Sequence, residues 1–179
     1  MNTLAFSVCF AAWTLNGVLV TYLVKQGVFP WNKVQIGWLI GIPILTGSIT
    51  RLPVGMATDR YGSRLVYPLV MILAAVGLFY ASYANSYAGF LLAGLGYGLA
   101  GASFAVGVAS TSLWFQSVRQ GTALGIFGIG NIGAAVTSYC APNLLSFLTR
   151  GGTDPQGWRK LPQFYALSLF VMTILFVIF

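Results

Sequence analysis

The sequence predicts an all-α membrane protein with six transmembrane helices, and three observations lead to this fold class. Only 6% of the 179 residues are charged, whereas 58% are hydrophobic. A soluble domain carries about 25% charged residues, because it has to present a hydrated surface. The mean hydropathy is +0.83, and six segments each reach the length of about 20 mostly apolar residues that a bilayer-spanning helix needs.

The first three helices are predicted at about residues 4–24, 34–58 and 65–84. The first apolar run lacks the basic lead-in of a signal peptide and is longer than the apolar core of one, so we expect it to span the membrane. A charged turn around Gly62 separates the second run from the third. Aromatic residues lie near these helix ends, as side chains at a membrane interface do; they are Trp31, Trp38, Tyr61, Tyr67 and Tyr83.

The last three helices are predicted at about residues 87–115, 121–148 and 161–179. A short link joins the fourth helix to the fifth. The connection to the sixth is a turn-rich loop that contains Gly151, Gly152, Asp154 and Pro155. Together the six helices predict a single transmembrane half-bundle over residues 1–179.

The composition excludes most enzymatic chemistry. The chain contains two acidic residues, both Asp, and no His, so it offers no imidazole base, no His-ligated metal or haem, and scarcely a carboxylate pair. Cys9 and Cys140 lie in apolar runs, which favours small buried side chains over nucleophiles or a disulfide. We therefore expect no enzyme, no metal and no cofactor. The net charge of +7 is spread over single residues, so we also expect no nucleic-acid partner.

Glycine is concentrated in one part of the chain. Eleven of the 22 glycines fall between Gly89 and Gly133. Small residues let helix backbones approach closely in lipid, so we expect the fourth and fifth helices at a crowded interface and the third and sixth facing lipid. These glycines could serve packing alone or border a substrate path.

Arg51 is the sharpest candidate for a functional residue. It lies in the second predicted helix, eight residues before Asp59, which is about 12 Å along a helix axis. An Arg at the membrane centre costs roughly 2.5–3.5 kcal/mol on insertion scales, so it normally faces the protein interior or a water-filled cavity. None of the six predicted helices supplies an acidic partner. An unpaired guanidinium suits a planar oxyanion; the alternative is a side chain that reaches out to the interface.

Two further candidates lie on later helices. Phe104 is in the middle of the fourth helix among small residues, where its ring could stack on a planar ligand or pack in the core. Asn131 lies in the fifth helix, in the run GTALGIFGIGNIGAA, and could donate to a substrate or form an interhelical hydrogen bond. Gly128 and Gly130 would expose backbone beside it. The run is not a nucleotide-binding loop, because no strand precedes it and no phosphate-binding Lys follows it.

The segment GMATDRYGSR, residues 55–64, places Asp59, Arg60 and Arg64 around the turn at Gly62. It could simply end two helices with charges, or it could act as a latch whose charges pair differently in two conformations. The segment matches the motif Gly-x-x-x-Asp-Arg-x-Gly-x-Arg, which lies between the second and third helices of the major facilitator superfamily.

Two longer runs resemble the nitrate/nitrite porter family within that superfamily. They are GIPILTGSITRLPVGMATDRYGSR around Arg51 and GASFAVGVASTSLWFQSVRQGTALGIFGIGNIGA from Gly101 to Ala134. The resemblance covers essentially the whole chain but only the N-terminal half of the family's fold. It implies six helices built as two inverted repeats of three.

The resemblance also implies roles for individual residues. A nitrate or nitrite ion would be bound by Arg51, Phe104, Asn131, Gly128 and Gly130. A cytoplasmic conformational latch would be formed by Asp59, Arg60 and Arg64. The termini would be cytoplasmic and the protein would be a multi-pass protein of the cell membrane, although a slight excess of Lys and Arg in the other set of loops weakly favours the opposite orientation.

Family members have twelve helices and a second substrate Arg, whereas this sequence has six helices. One Arg and one aromatic wall cannot enclose an anion alone, so two hypotheses remain. In the first, the chain is a half-transporter that moves nitrate or nitrite by alternating access, through exchange or uptake, and is completed by a second half, a second copy or a larger membrane complex. In the second, it is a non-transporting structural subunit of such a complex, derived from a transporter half.

Overall fold

The chain folds into six long helices joined by short connections. A computed structural model describes the backbone of residues 1–179 and the surroundings of all of them except Gly152. In order, the helices are α1 (Asn2–Lys25), α2 (Lys33–Tyr61), α3 (Ser63–Tyr83), α4 (Tyr87–Trp114), α5 (Ser117–Leu148) and α6 (Gly157–Ile178). Each is long and apolar enough to cross a membrane, which confirms the six predicted helices.

Local sequence signals set the helix ends. At the start of α2, Asn32 and Gln35 form a capping box, in which each side-chain oxygen accepts a hydrogen bond from the other residue's backbone N–H at 2.8 and 3.0 Å. At its end Gly62 adopts a φ of 81°, a conformation that suits glycine. The helix therefore runs three residues past its predicted end, to Tyr61, and Asp59 lies in its last turn rather than in a loop.

The helices pack in a pattern that repeats when α1–α3 are exchanged for α4–α6. α1 packs along α5, and α4 packs along α2, which is the equivalent contact. α3 packs extensively on its own counterpart, α6. α3 also packs on α4, as α6 does on α1. Two three-helix repeats related by inversion predict this arrangement.

The fourth helix is crowded, as its glycines predict. A Cβ atom at Gly98 would lie 2.9 Å from the Cα atom of Pro43 on α2. A Cβ atom at Gly96 would lie 2.9 Å from the Cα atom of Gly77 on α3. Carbon atoms of separate residues pack at about 3.5–4.0 Å, so α4 approaches both neighbours this closely only because these positions lack a side chain.

The glycine-based prediction was wrong for part of α5 and for one face of α3. No neighbouring atom lies within 4 Å of a Cβ position built on three glycines of α5, which are Gly121, Gly125 and Gly128. α3 exposes one face, but its opposite face is buried against α4 and α6. Alanine allows this close packing where glycine is absent; the buried alanines are Ala74, Ala75 and Ala81.

An aromatic cluster closes the end of the bundle where α4 begins. Phe29 and Trp31, between α1 and α2, stack with their ring centroids 4.8 Å apart. Phe90 of α4 meets the ring of Trp31 edge-on at 5.1 Å. Trp158, at the start of α6, lies 5.8 Å from Phe90 and is 1% exposed. The cluster joins the connection between α1 and α2 and the start of α6 to α4.

The contact between α3 and α4 can be tested at Gly77. In Gly77→Ala the new Cβ atom would lie 2.7 Å from the backbone carbon of Gly96, and such overpacking costs about 1–3 kcal/mol. We expect a lower melting temperature in detergent, measured by tryptophan fluorescence. The control Gly41→Ala places its methyl group in open space and should leave the melting temperature unchanged or raise it. Equal melting temperatures for both variants would contradict this helix contact.

Candidate functional site

Arg51 lies half-buried on α2 between two prolines. Pro43 and Pro53 both lack a backbone N–H, so the hydrogen-bond ladder of α2 is interrupted on either side of Arg51. The Nε atom of Arg51 donates a hydrogen bond to the carbonyl oxygen of Gly101 on α4 at 3.3 Å. The side chain therefore crosses from α2 to α4. Within the part of the chain that the structure describes, Nε is the only nitrogen of this guanidinium with a hydrogen-bond partner.

The ring of Phe104 lies beside this guanidinium. The Cζ atom of Arg51 is 5.5 Å from the ring centroid, within the range of a cation–π interaction. On another side the ring packs near Phe6 and Phe127, with centroid distances of 5.6 and 6.0 Å. Phe104 is still 38% exposed. The ring thus belongs to an aromatic cluster and also presents accessible surface next to the cation.

A backbone contact sets the distance between Arg51 and Phe104. A Cβ atom at Gly47 on α2 would lie 2.9 Å from the carbonyl oxygen of Gly98 and 3.2 Å from the Cα atom of Gly101, both on α4. In the same stretch, Leu99–Ala102 forms a tight 3₁₀ turn just before Phe104. The two helices that carry the site therefore touch along their backbones one turn away from Arg51.

The two carboxylates of the chain lie away from Arg51. Asp59 is exposed and follows about two turns later on α2. Asp154 accepts a hydrogen bond from the backbone N–H of Gln156 at 3.0 Å, in the loop before α6. Among the residues that the structure describes, no carboxylate therefore neutralises the charge of Arg51. Its free donors, next to a flat ring, suit a small planar oxyanion.

Asn131 and its neighbouring glycines have different surroundings. Asn131 is exposed, and its side-chain amide donates to the carbonyl oxygen of Gly128 in its own helix at 2.9 Å. Among the described contacts, Asn131 therefore does not form the interhelical hydrogen bond that its sequence position allows. Gly128 borders open space, whereas Gly130 is buried against the ring of Phe6. The structure brings Arg51 and Phe104 together but shows no contact from either to Asn131 among the residues it describes.

The three charged residues of the proposed latch lie at the junction of α2 and α3. Asp59 is exposed, and the Cζ atom of Arg60 lies 5.4 Å from the ring centroid of Tyr61. Arg64, at the start of α3, makes a long hydrogen bond of 3.5 Å to the carbonyl oxygen of Val177 at the end of α6. In this conformation the junction is thus connected to α6 through Arg64.

Sequence reasoning missed a buried polar network near this site. The side-chain amide nitrogen of Asn16 on α1 donates to the carbonyl oxygen of Leu39 on α2 at 3.0 Å, and its oxygen accepts from the hydroxyl of Tyr97 on α4. The indole N–H of Trp13 donates to the carbonyl oxygen of Pro43 at 3.1 Å. Two features of the sequence could have indicated this network. Asn16 is an amide in an apolar run, and Pro43 follows Leu39 by four residues.

Residues 1–179 match the Major Facilitator Superfamily. The chain belongs to this superfamily. Its six helices are the N-terminal half of the fold, and it is a multi-pass protein of the cell membrane within a family of transporters rather than enzymes.

Similar proteins are named for nitrate or nitrite. A probable nitrate/nitrite antiporter of Thermus thermophilus, NarK1, is 43% identical over 176 residues, or 96% of this chain and 39% of that protein. The nitrite extrusion protein of Bacillus subtilis (strain 168) is 31% identical over 100% of this chain and 43% of its own length. A probable nitrate transporter of Staphylococcus haemolyticus, NarT, is 32% identical over 100% of this chain and 44% of its own length. These matches confirm the resemblance to nitrate/nitrite porters, and the chain spans about two fifths of the length of these relatives.

The backbone contact beneath the site can be tested at Gly47. In Gly47→Ala the new methyl group would press on the carbonyl oxygen of Gly98, which forces α2 away from α4 at a cost of about 1–3 kcal/mol. We expect a lower midpoint of unfolding in mixed-micelle denaturation with increasing dodecyl sulfate. Gly37→Ala on the same helix meets no neighbouring atom within 4 Å and should unfold like the unmodified protein. A Gly47→Ala midpoint equal to that of Gly37→Ala would show that the helices do not touch here.

Proposed function

We propose that the chain is one half of a transporter for nitrate or nitrite, in which Arg51 binds the anion. The observation that carries this proposal is the pairing of Arg51 with Phe104. The guanidinium has free donors, lies 5.5 Å from the centroid of a partly exposed ring and has no carboxylate beside it among the residues whose surroundings are described. The names of the relatives, each for nitrate or nitrite transport or extrusion, support the choice of anion.

The shape of the guanidinium suits a trigonal anion. Its two terminal nitrogens lie in one plane and can donate in parallel to two oxygens of the same ion. The hydrogen bond from Nε to Gly101 restrains the group, which favours an orientation of those donors before an anion arrives. Phe104 then offers a flat apolar surface to one face of the ion. A Lys ammonium has neither the planar pair of donors nor the fixed orientation.

Alternating access requires a second set of helices that closes the site from the opposite side. α2 and α5 are the least buried of the six helices, and they expose large apolar side chains. These side chains include Ile44, Ile49, Leu52 and Met56 on α2 and Ile129, Ile132 and Val136 on α5. We assign these faces to the contact with a complementing half, which is a second half, a second copy of the chain or a larger membrane complex.

The junction of α2 and α3 is proposed as the latch of this movement, on the cytoplasmic side. Asp59 is exposed and free to meet a positive side chain of the complementing half in one conformation. Arg64 already reaches the carbonyl oxygen of Val177 at the end of α6. Breaking and remaking such contacts would change the relative population of two conformations without changing the anion site itself.

Arg51→Lys tests the anion site while keeping the positive charge. Hydrogen bonds to charged groups contribute about 1.5–3 kcal/mol, so losing the parallel pair should weaken nitrate binding at least about tenfold. The measurement is the nitrate-dependent rise in melting temperature of the purified protein in its completed assembly, with chloride as the comparison anion. Arg150→Lys, in the exposed connection after α5, is the control and should bind nitrate normally.

Two results would overturn the binding proposal. One is an equal nitrate response from Arg51→Lys and the unmodified protein, and the other is an equal response to nitrate and chloride. Copurification with unrelated membrane subunits in fixed proportion, together with no response to nitrate in that assembly, would instead identify a structural subunit.

Asp59→Asn tests the latch separately from binding. We expect nitrate exchange by proteoliposomes that contain the completed transporter to slow by about tenfold, since a charged contact of one conformation is lost, while nitrate affinity stays unchanged. The matched control is Asp154→Asn, which removes the other carboxylate of the chain and should exchange nitrate at the normal rate. Unchanged exchange in Asp59→Asn would remove this carboxylate from the mechanism.

A further inference from the structure

Pro43 opens a gap in the hydrogen-bond ladder of α2. In a regular α-helix the N–H of residue 43 would donate to the carbonyl oxygen of Leu39, but proline has no N–H. Asn16 of α1 supplies the missing donor, with its side-chain nitrogen 3.0 Å from the Leu39 oxygen. Asn16 is only 6% exposed, so without it the carbonyl group would have little access to another donor, which is costly for a buried backbone group.

The same amide ties α2 to α4. The oxygen of Asn16 accepts a hydrogen bond from the hydroxyl of Tyr97, which is also buried. One turn earlier on α1, the indole N–H of Trp13 donates to the carbonyl oxygen of Pro43 at 3.1 Å. Three helices are thus joined by side-chain hydrogen bonds at the place where the ladder of α2 is broken.

This joined segment leads directly to Arg51. One turn beyond Pro43, Gly47 packs on α4, and its Cβ position lies 3.3 Å from the indole nitrogen of Trp13. One turn further, Arg51 donates to the carbonyl oxygen of Gly101. A shift of α2 at Pro43 would therefore be transmitted along two helical turns to the guanidinium.

We propose that Asn16 is a positioning residue of the anion site. It replaces the N–H that Pro43 lacks and, through Tyr97, fixes the register of α2 on α4, which places Arg51 beside Phe104. A cleft of about 200 Å³, whose lining includes Trp13, Asn16 and Pro43, borders the network, so α2 has room to shift when the hydrogen bond is lost. The role in anion binding rests on the proposed function, whereas the replacement of the missing N–H can be measured without any anion.

The test is a double-mutant cycle between Asn16 and Pro43. Asn16→Ala should weaken nitrate binding about tenfold, because the Leu39 carbonyl loses its donor and the guanidinium shifts. Pro43→Ala gives α2 its own backbone N–H at that position. In the Pro43→Ala background the same Asn16→Ala change removes only the bond to Tyr97 and should therefore weaken binding by about threefold rather than tenfold. Asn143→Ala is the control and should bind nitrate normally, because this exposed amide donates to the carbonyl oxygen of Tyr139 in its own helix.

Tyr97→Phe keeps the measurement informative if Asn16→Ala does not fold. This variant retains the aromatic ring and the bond from Asn16 to Leu39, and loses only the hydroxyl that joins α4. We expect nitrate binding to weaken about threefold, with a smaller loss of melting temperature than in Asn16→Ala. Unchanged nitrate affinity in Tyr97→Phe would overturn the link to α4.

The two proposals fail in different ways. If Asn16→Ala lowers the melting temperature but leaves nitrate affinity unchanged, Asn16 does not position the site and the proposed function stands. If the unmodified protein in its completed assembly shows no nitrate response, the proposed function fails. The cycle is then read from melting temperatures alone. Non-additive effects of Asn16→Ala and Pro43→Ala on the melting temperature support the replacement of the missing N–H, whereas additive effects overturn it.

Discussion

A positive charge inside an apolar bundle has to be held by groups that stabilise it without cancelling it. The contact between α2 and α4 provides this balance, because a neutral carbonyl group of α4 accepts from one nitrogen of Arg51. Burying an unpaired charge is costly, and the carbonyl dipole together with the ring of Phe104 offsets part of that cost. A carboxylate in the same place would have occupied the donors that an anion needs. The geometry of the site therefore depends on glycines that bring the two backbones together.

The six helices could be predicted from sequence because spanning length and apolar composition are local properties. The end of α2 was harder to predict from sequence. Asp59 and Arg60 indicate a loop by their charge, yet the helix continues until Gly62 can adopt its positive φ. It was harder still to predict which glycines lie at a helix contact. Gly98 lies at a helix contact and Gly121 does not, although both belong to glycine-rich runs, because only the packing decides which face of a helix has a neighbour.

The candidate site was predictable only as separate parts. Residue type and depth in the apolar runs selected Arg51 and Phe104, but the sequence holds no measure of the distance between two helices. The polar network around Asn16 could not be predicted from sequence for the same reason. Asn16 is 23 residues from Leu39 and 81 from Tyr97, and helical periodicity relates only residues a few positions apart. Pro43 alone shows that a carbonyl group lacks its usual donor, not which side chain replaces it.

Two of the five tryptophans occupy contrasting environments at the two ends of α4. Trp158 is enclosed in the aromatic cluster near the start of the helix, whereas Trp114 in its last turn is 82% exposed. A quencher dissolved in the surrounding medium reaches the second indole and not the first. An opening of the aromatic cluster would therefore add newly quenchable emission to that of the indoles already exposed, Trp114 and Trp38, without any attached label.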